Sequence, residues 1–567
     1  MVGEQPRSRR RRTRRKRLLT RAAPLAAVGL LAFAAGLITA TKPSHAERDL
    51  VQRYMTAWAA GDYAKMYSLL DADSRSKTTE AQFAQSLSND AAIATATSLV
   101  ATHIGNRSGS AIPVRVTVHT RVFGRLHELA QIPLTGSDSD ARVQLTGALL
   151  FPGLLAGERL TRHATLASRG DLIASDGTPL AAGPDRTSPI PDVAVQVVGS
   201  VGPIPAGDGP AYTALGYPSG AKVGLSGLER IFEHQLAGRP GGTLLAGTRV
   251  LARAAPAPGR NITTTINPTI ERAAITAMAG RYSGIAAMDP RTGALLALAG
   301  VAFSELQPPG STMKIITATG ALEAGIVKLT DTFPIATQSN IGGYILQNAN
   351  GEACGGTFLN AFAVSCNSVF APLGVKLGGA RLVNVAERCG FNQPPSIPGA
   401  AESQIPSAAT IGNDTDVGSS AIGQGKVLTT ALQMTDVAAT IAMGGRRPIP
   451  TLLAHQRPHF VHVTSRRVAR LVQQMMMAVV QYGTGTAAQI PGVNVAGKTG
   501  TAELRNTTNP NDPNASSPQN TDAWFVGYAP VGSPRVVVGA LFPQQGAGGA
   551  TAAPAVHDVL VAALQAH

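Results

Sequence analysis

Three short motifs carry the chemistry this sequence is equipped for. Ser311-Thr312-Met313-Lys314 sets a hydroxyl and an amine three positions apart, one turn along the same helix face. An ammonium held out of water near another cation loses its proton readily, so Lys314 is expected to be the base that activates Ser311. Ser365-Cys366-Asn367 follows 54 residues later, and Lys498-Thr499-Gly500-Thr501 a further 133. Ser365 is expected to pass a proton between Lys314 and a leaving amine, and Asn367 to hydrogen-bond a substrate amide. Lys498 and the hydroxyls of Thr499 and Thr501 suit a terminal carboxylate, while Gly500 lets a substrate backbone lie along a strand edge. The N–H groups of Ser311 and Thr501 would form an oxyanion hole. Taken singly these motifs are weak, because a serine at a helix start is usually a cap. In this order they equip a serine acyltransferase for peptides that end in a free carboxylate.

The surrounding sequence supplies elements to hold them. Pro308-Pro309-Gly310 breaks the chain before the apolar helical stretch MKIITATGALEAG. NAFAV and SVFAPLGVKLGG read as helices on either side of Ser365–Asn367, and PGVNVA as a strand running into Lys498. Asn261–Asn267 alternates as a strand, Pro268–Met278 follows as a helix, and Ser283–Met288 and Ala294–Ala299 are apolar strands joined by a DPRTG turn. Ala523–Tyr528 reads as a partner strand. Pro554–Leu564 reads as a closing helix with proline at its first position. Further upstream, residues 47–71 show two amphipathic helices meeting at Gly61-Asp62, and strand alternation recurs over Ile112–Val122 and near Ala141–Leu149. That order predicts an α+β domain over 46–160, with Tyr54, Trp58 and Tyr63 in its core rather than lining a cavity.

The formal net charge of +15 invites a nucleic-acid reading, but residues 1–21 alone carry +9, which leaves an ordinary +6 for the rest. Ala22–Thr41 then runs without a charge for twenty residues, enough to cross a bilayer. The arginine block before it predicts a cytoplasmic tail over 1–21, a membrane anchor over 22–41 and an extracellular remainder; a cleaved secretory signal is the alternative. The three cysteines, Cys354, Cys366 and Cys389, match no zinc spacing. Each reads as a small buried hydrophobe, with a Cys354–Cys389 disulfide as the alternative; Cys366 is expected to point into the core. No metal or organic cofactor is expected.

The three motifs, with Gly423-Gln424-Gly425 and Trp524-Phe525-Val526-Gly527-Tyr528, resemble the penicillin-binding protein and serine β-lactamase superfamily over residues 165–567. The stretches Arg169–Ala181 and Gly224–Glu229 are similar to the linker modules of class B penicillin-binding proteins, with Arg169 and Glu229 as structural ion-pair partners. The helices over 47–71 resemble the opening of an NTF2-like domain found in some members. The resemblance implies a multidomain α+β chain: anchor, NTF2-like domain (46–160), β-rich linker or dimerisation-like module (161–260) and a transpeptidase domain (261–567) with a central antiparallel sheet flanked by helices. It further implies a D,D-transpeptidase cross-linking peptidoglycan stem peptides through an acyl-enzyme on Ser311, with β-lactams acylating the same residue. Cell-wall synthesis proteins are expected partners, and nucleic acid is not. A D,D-carboxypeptidase, a β-lactamase and a non-catalytic sensor or scaffold are the alternatives. Two departures stand out: the link from Gly300 to Ser311 is short, and Met313 stands where phenylalanine is frequent.

Overall fold

A computed structural model describes residues 40–504 and 517–566. The basic tail and most of the expected anchor lie outside the described residues. Its last two positions, Ala40–Thr41, pair as a short strand with Arg107–Ser108. Two compact units form: one from residues up to Ser168 with Pro203–Lys222 and Ala237–Gly259, the other from Arg169–Gly202, Val223–Leu236 and Arg260 onward. The stretch expected as a separate linker, 161–260, is therefore shared between them, because its apolar residues join two different cores.

In the first unit, helices α1 (His45–Ala60), α2 (Tyr63–Ser68), α3 (Ala72–Lys77) and α4 (Glu80–Ala94) precede antiparallel strands β1 (Ala96–Ile104), β2 (Ala111–Thr120) and β3 (Gly124–Thr135). The break falls where the sequence puts it: Gly61 caps α1 at φ 69°, a conformation glycine adopts without a Cβ penalty. Val114, Val116 and Val118 alternate inward from β2 onto Tyr54, Phe83 and Leu87. Tyr54 and Trp58 are core, with ring centroids 6.1 Å apart; Tyr63 is half-buried against it. The strand expected near Ala141–Leu149 shrinks to Arg142–Val143 followed by a single helical turn.

The second unit is built on a five-stranded antiparallel sheet. Its members are β4 (Gly284–Asp289), β5 (Ala294–Gly300), β6 (Ala496–Glu503), β7 (Thr521–Ala529) and β8 (Val536–Phe542), in the order β5-β4-β8-β7-β6. Residues alternate between two cores, which explains why β4 and β8 are apolar at nearly every position. Ile285, Ala287, Val538 and Ala540 pack with helix α5 (Pro268–Met278) and the C-terminal helix Gly548–Gln565. Ala286, Met288, Val537 and Leu541 face the larger helical layer. The C-terminal helix starts six residues before Pro554, not at it. Glycine is what its start requires, since a Cβ on Gly548 would lie 2.2 Å from the Trp524 carbonyl oxygen and 2.3 Å from that of Gly500. Arg169 does pair with Glu229, at 2.5 Å, within a buried cluster in which Arg169 also meets Glu233 at 2.7 Å and Arg186 meets Glu229 at 2.6 Å.

Candidate active site

Ser311 lies in a tight helical turn, Gly310–Met313, that leads directly into helix α6 (Lys314–Glu323). The serine is half-buried, while Lys314 is fully buried. The turn is set by backbone crowding. Gly310 sits at φ 51° and donates its N–H to the Gly423 carbonyl at 2.9 Å. A Cβ on Gly423, itself at φ 76°, would lie 2.0 Å from the Gly310 oxygen. Thr312 closes the turn from its side chain, its hydroxyl donating to the Pro309 carbonyl at 2.7 Å.

Ser365 stands between helix α7 (Phe358–Ala363) and helix α8 (Asn367–Leu377) in the left-handed region, at φ 64°. That conformation is costly for serine and persists only where neighbours fix it. The fixing groups are visible: Cys366 donates its N–H to the Ala361 carbonyl at 2.8 Å, and its sulfur is bonded to Cys354. The expected alternatives for the cysteines are thus corrected. Cys354 pairs with Cys366, not Cys389, because the strand Cys354–Thr357 runs beside the Ser365 turn; Cys389 stays free and buried.

Lys314, Ser365, Asn367 and Lys498 bring side chains of all three motifs together here. Lys314 Nζ donates to the Ser365 carbonyl at 2.6 Å, to Asn367 Oδ1 at 2.7 Å and to Ser365 Oγ at 3.3 Å. Lys498, on β6, donates to the same Ser365 Oγ at 2.8 Å and to the Thr499 carbonyl at 3.1 Å. Each ammonium also faces an aromatic ring: Lys314 lies 5.6 Å from the Phe370 centroid and Lys498 lies 5.4 Å from that of Phe362. Burial drives Lys314 well below the ordinary lysine value of 10.5, and the charge on Lys498 adds to the effect. Burial takes Lys498 down to about 7.

The β6 residues face different neighbours. Lys498 turns inward to Ser365 and is fully buried. Thr499 is buried too, its hydroxyl 2.5 Å from that of Thr484. Thr501 is half-buried and its hydroxyl accepts from the Gly548 N–H at 3.3 Å. On the side where its Cβ would point, Gly500 faces the Ser311 turn. A Cβ there would lie 2.7 Å from the Pro309 oxygen and 3.0 Å from a Thr312 methyl, so this glycine lets β6 press against the Ser311 turn.

Sequence reasoning missed three supports. Thr484 is exposed and linked to α7 by its N–H to the Ala363 carbonyl at 3.1 Å; the Gly483-Thr484-Gly485-Thr486 run that breaks the preceding helix was the available signal. Asn348 accepts from the Ser368 N–H at 2.8 Å, and the Gln347 carbonyl accepts from Asn367 Nδ2 at 3.1 Å. Nothing local in the sequence marks either. The short link before Ser311 is pinned, with Gln307 and Thr429 exchanging backbone hydrogen bonds at 2.9 and 3.0 Å.

The chain is similar to proteins of known family and structure. A family model of the penicillin binding protein transpeptidase domain matches residues 283–561, and one of the penicillin-binding protein dimerisation domain matches 176–264. The peptidoglycan D,D-transpeptidase PbpA of Mycobacterium tuberculosis is 31% identical over 370 residues, which cover 54% of this chain and 73% of that protein. The crystal structure of the D,D-transpeptidase domain of an Eggerthella lenta peptidoglycan glycosyltransferase matches with a TM-score of 0.57 at 30% identity, over 70% of this chain and 99% of that one. A ceftriaxone acyl-enzyme complex of penicillin-binding protein A from M. tuberculosis matches with a TM-score of 0.57 at 26% identity, again over 70% and 99%.

Proposed function

Since the chain belongs to the class B penicillin-binding proteins and is a peptidoglycan D,D-transpeptidase, we propose that it works as a serine acyltransferase with Ser311 as nucleophile. The observation that carries this reading is the convergence of two lysine ammonium groups on Ser365 Oγ, one of them three residues from Ser311.

The steps follow from the proton inventory. Lys314, whose burial beside Lys498 favours the neutral amine, takes the Ser311 proton as Oγ attacks the carbonyl of the penultimate D-alanine. The N–H groups of Ser311 and Thr501 stabilise the oxyanion. Collapse breaks the peptide bond, and the departing D-alanine amine collects a proton through Ser365, which Lys498 resupplies. An amine of a neighbouring stem peptide then attacks the ester and passes its proton through Ser365 to Lys498, while Lys314 returns its proton to the departing Ser311 Oγ. Asn367 holds Lys314 through Oδ1 and so positions the base in addition to meeting the substrate amide. Thr499, Gly500 and Thr501 line the β6 edge on which the substrate carboxylate rests. A β-lactam enters by the same attack and stalls at the ester.

Fluorescent penicillin tests this directly. The intact chain should label covalently and Ser311→Ala should not. Absence of labelling, or labelling that survives the substitution, overturns the reading. With a synthetic stem peptide and an acceptor amine, a cross-linked product supports transpeptidation, whereas trimming alone favours a carboxypeptidase. Rapid loss of the penicillin adduct favours a β-lactamase, and a persistent adduct with no peptide turnover a sensor.

The setting completes the proposal. Residues 22–41 anchor the chain as a single span, 1–21 stay in the cytoplasm, and the catalytic unit works outside the cell, where cell-wall synthesis proteins are its partners. The first unit, read as NTF2-like, spaces the catalytic unit from the membrane. Its α-then-β order and filled core support a spacer rather than a ligand pocket.

A further inference from the structure

Helix α9 (Ala431–Ala442) packs on the sheet through Ala431 and Thr435, which close on Gly539 of β8. Its other face borders a cavity of about 250 Å³ that includes none of the three motifs. The walls are largely apolar, with Pro394, Pro395, Ile397, Leu432, Ile449 and Val461 among them; Gln393, Ser396, Thr430 and Gln433 add neutral polar groups, and Asp436 and Arg447 are the ionisable ones.

Two of those groups are poorly satisfied. Asp436 and Arg447 are 4% and 8% exposed. Their nearest approach, Nη1 to Oδ2, is 4.0 Å, too long for a hydrogen bond. Asp436 Oδ1 and Arg447 Nε have no hydrogen-bond partner among the described residues. Leaving such groups unpaired in the interior is expensive, so they are expected to meet a partner of complementary shape. Space for the guanidinium is also specifically kept. Gly390 sits at φ 108°, and a Cβ there would come within 2.9 Å of Arg447 Nη1.

We infer that this cavity is a binding site for a small aliphatic carboxylate, whose oxygens accept from the Arg447 guanidinium and whose tail lies against the proline and isoleucine walls. Arginine keeps its charge at any accessible pH and presents its donors in a fork that matches a carboxylate. Burial raises the Asp436 carboxyl to about 8 despite the pull of Arg447, so near neutrality it keeps its proton and donates to the same anion. The pair then offers one net positive charge and no anion to pair with an ammonium. This inference stands on the cavity alone and does not rest on the reaction at Ser311.

The test is ligand-observed saturation-transfer NMR on the full chain in detergent, with butyrate, butylamine and 1-butanol as matched probes. Butyrate should give a saturable signal, and the other two none. Arg447→Met should weaken butyrate about tenfold or more, as loss of a charge-assisted pair requires, and Arg447→Lys should fall between. If Arg447→Met does not fold, Val461→Trp at the 38% exposed rim should block the cavity instead. No saturable butyrate signal from the wild-type chain, an equal signal from butylamine, or binding untouched by these substitutions overturns the inference.

Discussion

At the scale of residues, the site turns on two lysines that share one hydroxyl and differ in role. Reaction needs Lys314 neutral and Lys498 charged, so penicillin acylation measured between about pH 5 and 10 should rise and then fall. The falling limb belongs near 7, where Lys498 loses its proton, and the two apparent values describe the coupled pair. Lys314→Met should slow acylation by about 100-fold or more, since it removes the base. The same burial has a cost in stability whose sign can be worked out. Unfolded, Lys498 titrates at the ordinary 10.5; folded, it titrates near 7. Between those values the unfolded chain holds more protons, so stability rises with pH across that window. Below 7 both states are protonated and the full penalty of burying the charge remains. Lys498→Met should therefore abolish acylation yet raise the melting temperature by several degrees at pH 6, an advantage that shrinks towards pH 10 in thermal denaturation.

At the scale of elements, placement of the nucleophile depends on backbone contacts far from it in sequence. Gly423 touches Gly310 so closely that Gly423→Ala must push the Ser311 turn aside. Displacements of about 1 Å cost catalysis around 100-fold, so acylation rates of a folded Gly423→Ala protein should fall by roughly that factor. The Cys354–Cys366 bridge closes a span of 12 residues and holds Ser365 in its left-handed conformation. Cys354→Ser should lower unfolding free energy by about 2–3 kcal/mol in denaturant titration. It should also slow acylation, because Ser365 is then free to leave the two ammonium groups. These contacts mark where the sequence stops being legible. The meeting of Lys314, Ser365, Asn367 and Lys498 was readable because a proton relay restricts residue type and spacing. The helix Pro268–Met278 and the strands around Asp289–Gly293 were readable because proline, asparagine and glycine punctuate them locally. The cysteine pairing, the Thr484–Thr499 contact and the reason for Gly500 were not, since each is decided by elements that meet only in the fold. The closing helix was expected from Pro554 and instead opens at Gly548, because its packing on β6 and β7 leaves no room for a side chain there.

At the scale of the whole molecule, the catalytic core reaches further upstream than its motifs suggest. Leu172, Ala174, Leu180, Val193, Val197, Leu228 and Leu236 share one buried cluster with Ile262, Ala286, Met288 and the helices behind Ser311. Sequence texture places a boundary at 261, where strand and helix signals become regular, but apolar burial places the edge of this core at Arg169. A fragment spanning 261–567 would strip these seven side chains from their partners and leave the facing surface in water. Burying an aliphatic side chain contributes about 1.5–3 kcal/mol, so the loss exceeds the net stability of a typical domain even after relaxation. The fragment 261–567 should therefore be insoluble or melt far below one spanning 169–567, with circular dichroism and fluorescent-penicillin labelling as the readouts. Equal melting and equal labelling of the two fragments would show that residues 169–236 are only a connector. Lower melting of the shorter fragment, with labelling lost at the same temperature, would show that the upstream segments are part of the body that holds Ser311.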